Sequence, residues 1–402
     1  MTDVSVAGDI ESRVLSAIDD DAVVELTTAL VQAPSENPGG TESAAVAVLE
    51  KACREAGFDV EITEVAPGRP NLTATLAGGD GPGLMILGHS DVVPAGPNWT
   101  GDPYRVRRDG DLLIGRGTTD MKGGLAAAVG AMKAIARAIA DGHAAVSGPV
   151  QLVCTVDEEE HGIGVRDFVG RPSRHEFAGC IVAEPTDMQV VRGCRGASYL
   201  EIDITGRAAH SGRPKDGRSA IEAAASVIEL IRADQRALDE HLDDLLGAGT
   251  WNVGTIAGGQ GISVVAPTCS LGVDRRLMPD EDVHRIAEVL RSAIRAARID
   301  TDGITVDVRV TMEMPGFATP ADHRLVTTAV DAVTDAGVPT SVGGWSAACD
   351  GGFVSRDLGI PSIVLGPGDI HSQAHQPDES IDVADLAVAA RTYALSALRL
   401  LS

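Results

Sequence analysis

Val150-Gln151-Leu152-Val153-Cys154-Thr155-Val156 is an apolar run of strand length, and it passes directly into Asp157-Glu158-Glu159-Glu160. A short apolar run of this kind reads as a buried strand. Four consecutive carboxylates are ordinary on a solvated helix. Straight after a buried strand they are costly to hold charged unless cations neutralise them. The same texture extends outward from this stretch. Phe58 to Val65 and Asn71 to Leu76 alternate as strands do. Gly83 to Leu87 is another short apolar run, set off by the turn cluster Gly78-Gly79-Asp80-Gly81-Pro82. Asp21 to Gln32 and Thr41 to Glu55 show the three- and four-residue spacing of amphipathic helices, and Gly123 to Ala140 is an alanine-rich helix. Cys180 to Ala183 is a further short strand running into Glu184. Strands alternating with helices over the first 190 or so residues predict the α/β class, a mixed sheet flanked by helices. The acidic segments fall just past strand C-terminal ends, where such sheets form ligand sites.

Near Gly193 the texture changes. Tyr199 to Thr205, Trp251 to Ile256, Thr268 to Asp274 and Ile304 to Val310 alternate, while Ala220 to Ala237 and Glu281 to Arg298 are helical. This β-α-β-β-α-β order predicts a ferredoxin-like α+β module. After Pro315 the α/β texture returns, with a helix near His323 to Ala336, a strand at Ser362 to Leu365 and a final helix from Val383 to Leu400. The expected organisation is one domain from residues 1–193 and 312–402, interrupted by a second from residues 194–311.

The 402-residue length suits two domains or one with an insertion. Only 3% of residues are aromatic, so the core must be aliphatic and built from small side chains. A net charge of −25 argues against nucleic acid and anionic membrane as partners. Met1 to Asp20 is polar and acidic, unlike a secretory leader, and no stretch reaches about 18 consecutive apolar residues. The six cysteines form no CxxC pair and read as reduced, buried thiols. A cytoplasmic protein is expected.

Five short motifs carry the chemistry: Gly88-His89-Ser90-Asp91, Gly117-Thr118-Thr119-Asp120-Met121-Lys122, Asp157-Glu158-Glu159, Ala183-Glu184-Pro185-Thr186 and Ala374-His375-Gln376-Pro377-Asp378-Glu379. Imidazoles together with a surplus of carboxylates suit a pair of zinc-like cations. His89 and Asp91 would share one side of a strand, either as a metal ligand with the carboxylate that orients it or as a surface pair. Asp120, between glycine-rich turns, reads either as a helix N-cap or as a carboxylate bridging two cations. Neighbouring glutamates in an extended segment diverge, so one can bind metal while the next faces a water as general base. Pro185 restricts Glu184 to an extended backbone. His371 is a second candidate near His375.

In this order, over about residues 20 to 400, the motifs resemble the M20 metallopeptidase family, which includes acetylornithine deacetylase, succinyl-diaminopimelate desuccinylase, aminoacylase and bacterial glutamate carboxypeptidase. The resemblance implies a di-zinc catalytic domain with an inserted lid or dimerisation domain. It implies that His89 and Glu184 hold one zinc, Glu159 and His375 the other, and that Asp120 bridges them; cobalt or manganese are further possibilities. It gives Asp91 the task of orienting His89 and makes Glu158 the general base and then the acid. Gly206-Arg207-Ala208-Ala209-His210-Ser211-Gly212 resembles the lid segment whose histidine polarises the carbonyl in the partner subunit's site. Asp274-Arg275-Arg276-Leu277-Met278-Pro279 resembles the arginine motif, which makes Arg276 the anchor for a substrate carboxylate. A homodimer hydrolysing the amide bond of a small N-acyl amino acid is the implied activity. A dipeptidase or carboxypeptidase using the same two metals is the alternative, and an inactive binding relative would be expected to lack a ligand or the base.

Two departures bear on substrate choice. Ser263, in Ser263-Val264-Val265-Ala266-Pro267, stands where the family often has asparagine, so a polar substrate contact changes. Cys349-Asp350-Gly351-Gly352 stands where Thr-Asp is common.

Overall fold

The computed structural model describes residues 3–402, with backbone alone for residues 3–7; the first two positions of the expected first domain lie outside the described residues. The chain opens with α1 (Asp3–Ser16), α2 (Asp20–Val31), α3 (Ser43–Glu55), β1 (Asp59–Ala66), β2 (Arg69–Leu76), β3 (Gly83–His89), β4 (Arg107–Asp109) and β5 (Leu112–Ile114). It continues through α4 (Gly123–Ala140), β6 (Val150–Thr155), α5 (Ile163–Val169), β7 (Phe177–Val182) and β8 (Val190–Cys194). Next come β9 (Gly196–Thr205), α6 (Ala220–Leu238), β10 (Thr250–Gly258), β11 (Thr268–Leu277), α7 (Val283–Ala296) and β12 (Thr305–Met314). The last elements are β13 (Phe317–Ala318), α8 (Arg324–Asp335), β14 (Val342–Trp345), α9 (Gly351–Leu358), β15 (Ser362–Val364), β16 (Ser380–Asp382) and α10 (Val383–Leu400).

Contacts divide the chain into two units, one of residues 1–193, 318–344 and 353–402, the other of residues 194–317 and 345–352. The second unit therefore ends later than residue 311. The reason is local: β12 stays in register with β9 as far as Met314 opposite Ala197, so the chain leaves that sheet only after Met314.

In the first unit the sheet runs β1-β2-β6-β3-β7-β15-β8. β3 is parallel to β6 and β7, β7 is parallel to β15, and β1, β2 and β8 run antiparallel to their neighbours. The register sets His89 opposite Thr155, and Leu87 and Val364 both opposite Val182. The C-terminal ends of four adjacent parallel strands thus finish along one edge. β3 and β6 are buried at every position, which is why their sequences show no alternation.

Twelve of the 18 residues of helix α4 are buried, and it packs against α2, α10, β3 and β6. The stretch Thr118–Ala140 is long and apolar enough to cross a membrane by composition, but about two thirds of its most apolar window is inside the fold. Alanine and glycine along it permit close helix contact: a Cβ on Gly130 would meet Val23 and approach Ala390. Side-chain caps start several helices, Asp19 accepting from the Ala22 N–H at α2 and Asp382 from the Ala384 N–H at α10.

The second unit holds a four-stranded antiparallel sheet in the order β10-β11-β9-β12, with α6 and α7 on one face. Numbered within the module, that is the 4-1-3-2 order of a ferredoxin-like fold read from its far edge. Leu200, Ile202 and Ile204 of β9 point into its core, while Tyr199, Glu201 and Thr205 are exposed. All six cysteines of the chain are free and buried.

Candidate metal centre

The strand ends dictate the site. β3 finishes at His89, β6 leads into Asp157, Glu158 and Glu159, and β7 leads into Ala183 and Glu184. His375 lies between β15 and β16, and Asp120 sits in the tight turn Thr118–Lys122 that opens α4. Asp157 and His375 have φ of 68° and 63°, a region non-glycine residues seldom occupy. Asp157 is held there by its carboxylate, which accepts from Asn37 Nδ2 at 2.9 Å, Arg69 Nη1 at 2.8 Å and the Ile163 N–H at 3.3 Å.

Six of the expected side chains meet in the first unit. Asp120 turns one oxygen toward each of two imidazoles: Oδ1 is 3.4 Å from His89 Nε2, and Oδ2 is 3.4 Å from His375 Nε2. Glu184 Oε1 lies 3.3 Å from His89 Nε2, and Glu159 Oε2 lies 3.2 Å from His375 Nε2. Glu158 Oε2 is 4.0 Å from His89 Nε2, the longest of these approaches. His371 and His375 are both exposed and neither joins the two metal-competent groups found among the described residues, but only His375 faces carboxylates of the cluster, Asp120 and Glu159.

The donor set fits divalent cations. His89 Nε2 is buried and in hydrogen-bonding geometry with no neighbour, although three carboxylates face it. A buried polar atom left in this way marks a missing partner. Burial, together with the charge on Asp120, pushes the Glu184 carboxyl up to about 7 and raises that of Glu159. Burial also works to raise Asp120, but the imidazoles of His375 and His89 outweigh it and hold that carboxyl low. The Asp120 and Glu159 carboxylates push the His375 imidazole up to about 10. Burial disfavours charge on His89, yet Glu184 and Asp120 hold its imidazole well above its ordinary value. These are the signs of a cluster in which protons stand where cations would otherwise balance the charge.

A sequence model of Peptidase family M20/M25/M40 matches residues 85–399. The chain belongs to this family. It is similar to an acetylornithine deacetylase of Aliivibrio fischeri, with 32% identity over 336 residues that cover 82% of this chain and 84% of that protein. Its fold is similar to that of an M20 metallo-carboxypeptidase from Sulfolobus solfataricus, with a TM-score of 0.78 and 19% identity over 94% of this chain and 99% of that one. A dinuclear metal-binding M20 peptidase from Bacillus subtilis gives a TM-score of 0.70 and 16% identity over 95% and 98% of the two chains. The protein is an M20-type metallohydrolase.

Within this M20 site Asp91 sits differently from its expected place. The near partner of His89 Nδ1 is the Asp91 backbone carbonyl at 2.9 Å, while Asp91 Oδ1 is 3.6 Å away. The carboxylate instead accepts the backbone N–H groups of Glu158 and Glu159, each at 3.2 Å, and Asn37 Nδ2 at 2.9 Å. A single residue thereby aims the imidazole with its carbonyl and the two glutamates with its side chain.

The other three expected residues belong to the second unit. His210 and Ser263 are exposed and lie on facing segments, with the Ser211 N–H donating to the Ser263 carbonyl at 2.9 Å. Arg276 lies on β11 and is paired with Asp274 through Nε and Nη2 at 3.1 and 3.0 Å. Its neighbour Arg275 is buried, with Nη2 2.6 Å from Glu281. Cys349 is fully buried.

Sequence reasoning passed over Asn37, Arg69 and Glu42. Asn37 links Asp91 to Asp157, and Arg69 links Asp157 to Glu42. Their only sequence signal is a polar pair, Glu36-Asn37, in an otherwise turn-like Pro-Gly stretch, and Arg69 beside Pro70.

Proposed function

We propose that the protein hydrolyses the amide bond of a small N-acyl amino acid bearing a free carboxylate, using two divalent cations, zinc foremost. The observation that carries this reading is Asp120, one carboxylate presenting an oxygen to each of two imidazoles. His89 and Glu184 would hold one cation, Glu159 and His375 the other, with Asp120 between them. Two cations supply a lowered water pKa and charge stabilisation for the developing oxyanion. Glu158 takes a proton from the attacking water as its oxygen bonds to the acyl carbon. It returns that proton to the amine nitrogen as the C–N bond breaks. Asp91 keeps Glu158 in place through the backbone N–H it accepts.

His210 is assigned to the carbonyl of a substrate in the partner subunit's site, and Ser263 to a polar substrate contact. Arg276 is assigned to the substrate carboxylate, which would take the place of Asp274 in a bidentate pair. The similarity to acetylornithine deacetylases supports an N-acyl amino acid. The six free buried thiols accord with work in a reducing cytoplasm. We further propose a homodimer, because β10 is an edge strand exposed over most of its length.

The test is Glu158→Gln beside the wild type, assayed on N-acetyl and N-succinyl amino acids and on dipeptides, with metal content measured in both proteins. We expect turnover to fall by about 10³-fold, within the range for a lost general base, with metal content unchanged. Full activity in the variant would sink the mechanism. Cleavage of dipeptides alone would move the substrate to the peptidase reading.

A further inference from the structure

Glu379 closes the motif that contains His375, and its carboxylate is fully buried. Its Oε1 accepts the backbone N–H groups of Thr119 at 2.8 Å and Asp120 at 2.9 Å. Its Oε2 accepts Arg116 Nη1 at 2.7 Å and the Gly117 N–H at 2.9 Å. A carboxylate has about four acceptor positions, so these donors saturate it. Its backbone joins in, since the Glu379 carbonyl accepts the Gly115 N–H at 2.9 Å, and the Ser380 carbonyl accepts Thr119 Oγ1 at 2.8 Å.

A buried Arg116–Glu379 pair alone would be a feature of folding. Two further facts give it another meaning. Three of the four donors are backbone N–H groups of the turn that carries Asp120, and the acceptor belongs to the segment that carries His375. The N–H groups ahead of a helix have no partner within that helix. Here they are satisfied by a side chain 259 to 262 residues further along the chain. We propose that Glu379 is a positioning residue of the metal centre, locking the Asp120 turn against the His375 segment so that each Asp120 oxygen meets one imidazole. This rests on the two-metal reading above.

Glutamine has the shape of Glu379 but replaces one oxygen with a second set of N–H donors. Whichever way it lies, an amide NH₂ would face either the Thr119 and Asp120 N–H groups or the Arg116 and Gly117 donors. Donor against donor forces the turn to open, and Asp120 moves with it. Loss of a residue that orients a metal ligand typically weakens metal binding by about 10–100-fold.

The experiment uses the full chain stripped of metal, in wild-type, Glu379→Gln and Leu49→Ala forms. Leu49 is buried in α3, and its truncation serves as a measure of simple destabilisation. Thermal melts of the metal-free proteins are read beside zinc titrations against a chromophoric chelator and the visible spectra of the cobalt-loaded forms. The expected result is zinc binding weakened about 10–100-fold and an altered cobalt spectrum for Glu379→Gln, while Leu49→Ala matches the wild type in both whatever its melting temperature. Zinc affinity and spectrum unchanged in Glu379→Gln, with two equivalents bound by the wild type, would overturn this role alone. A wild type that binds no metal would overturn the two-metal reading and this role with it. If Glu379→Gln does not fold, Glu379→Asp replaces it, keeping the charge but withdrawing the carboxylate by a methylene, with weakened binding supporting the role and unchanged binding overturning it. If neither variant folds, Glu379 is a folding residue and the inference fails.

Discussion

Asp385, in the first turn of α10, shows how burial sets the behaviour of a single carboxyl. Desolvation is the larger cause, and Asp382 and Asp187 add repulsion, so the folded-state value is pushed up to about 6. An unfolded aspartate titrates near 3.9. Between about pH 4 and pH 6 the folded chain therefore binds more protons than the unfolded one, and this group favours folding increasingly as pH falls through that window. Above it the penalty is complete. Asp385→Asn should stabilise the protein by about 1 kcal/mol at pH 8, a figure discounted for partial solvent screening and for the lost attraction of the helix N-terminus. At pH 3.5 the two proteins should unfold at the same urea concentration, and a gap that persists there would contradict the assignment. The candidate ligands His89, Glu159 and Glu184 were legible because each stands at or just past the end of a buried strand, whereas Asp120 in a turn and His375 in a loop were singled out by the resemblance of their motifs to the M20 family. Asn37 and Glu379 were not, because their work is done on backbone N–H groups and carboxylates far away in sequence. Asp91 was legible as a site residue but not in its contacts, since a His-x-Asp spacing does not show whether the carbonyl or the carboxylate meets the ring.

Among elements, those buried on every side or striped at helical spacing were readable from sequence. α4 was expected at Gly123 to Ala140 and has those bounds, and α6 and β6 differ from expectation by a residue at one end. β4, β5 and β16 are only three residues each, too short for a periodic signal, and α1 is polar along much of its length. The start of α4 is placed by a contact no local pattern reveals. A Cβ on Gly124 would run into the Ala183 carbonyl oxygen and lie 3.2 Å from Ala183 Cβ, at the end of the strand that delivers Glu184. Alanine is favoured over glycine inside a helix by up to about 1 kcal/mol. Overpacking against a backbone that cannot swing aside costs about 1–3 kcal/mol. The clash should win, so Gly124→Ala is expected to lower stability by about 1–2 kcal/mol in denaturant titrations. A gain in stability would show that α4 can slide along the sheet, contrary to the close seating of Ala183.

At the scale of the whole molecule, a net charge of −25 sets repulsion between copies against whatever surface pairs them. The two edge strands of the second unit's sheet differ in that respect. β12 carries Asp307, Arg309 and Glu313, the kind of charged edge that resists pairing. β10, Thr-Trp-Asn-Val-Gly-Thr-Ile-Ala-Gly, has no charged residue and no proline, and Ile256 is 57% exposed. A register shift between Val253 and Thr255 divides its pairing with β11 into two regular stretches, Thr250 to Val253 and Thr255 to Gly258, and Ile256 lies in the second. In the homodimer proposed above, antiparallel pairing of this edge with the same edge of a second copy would form a closed two-fold contact, the commonest kind of homodimer interface. Light scattering of the wild type in physiological salt should then give twice the 41.4 kDa chain mass. Screening shortens from about 30 Å at 0.01 M salt to about 8 Å at 0.15 M, so the dimer fraction at a fixed low protein concentration should rise with salt. Ile256→Asp places a charge on the pairing edge and adds to the repulsion, and should give a monomer across that whole salt range with its metal content intact. A wild type that scatters as 41.4 kDa at every salt concentration, or an Ile256→Asp protein as dimeric as the wild type, would place the contact elsewhere or remove it.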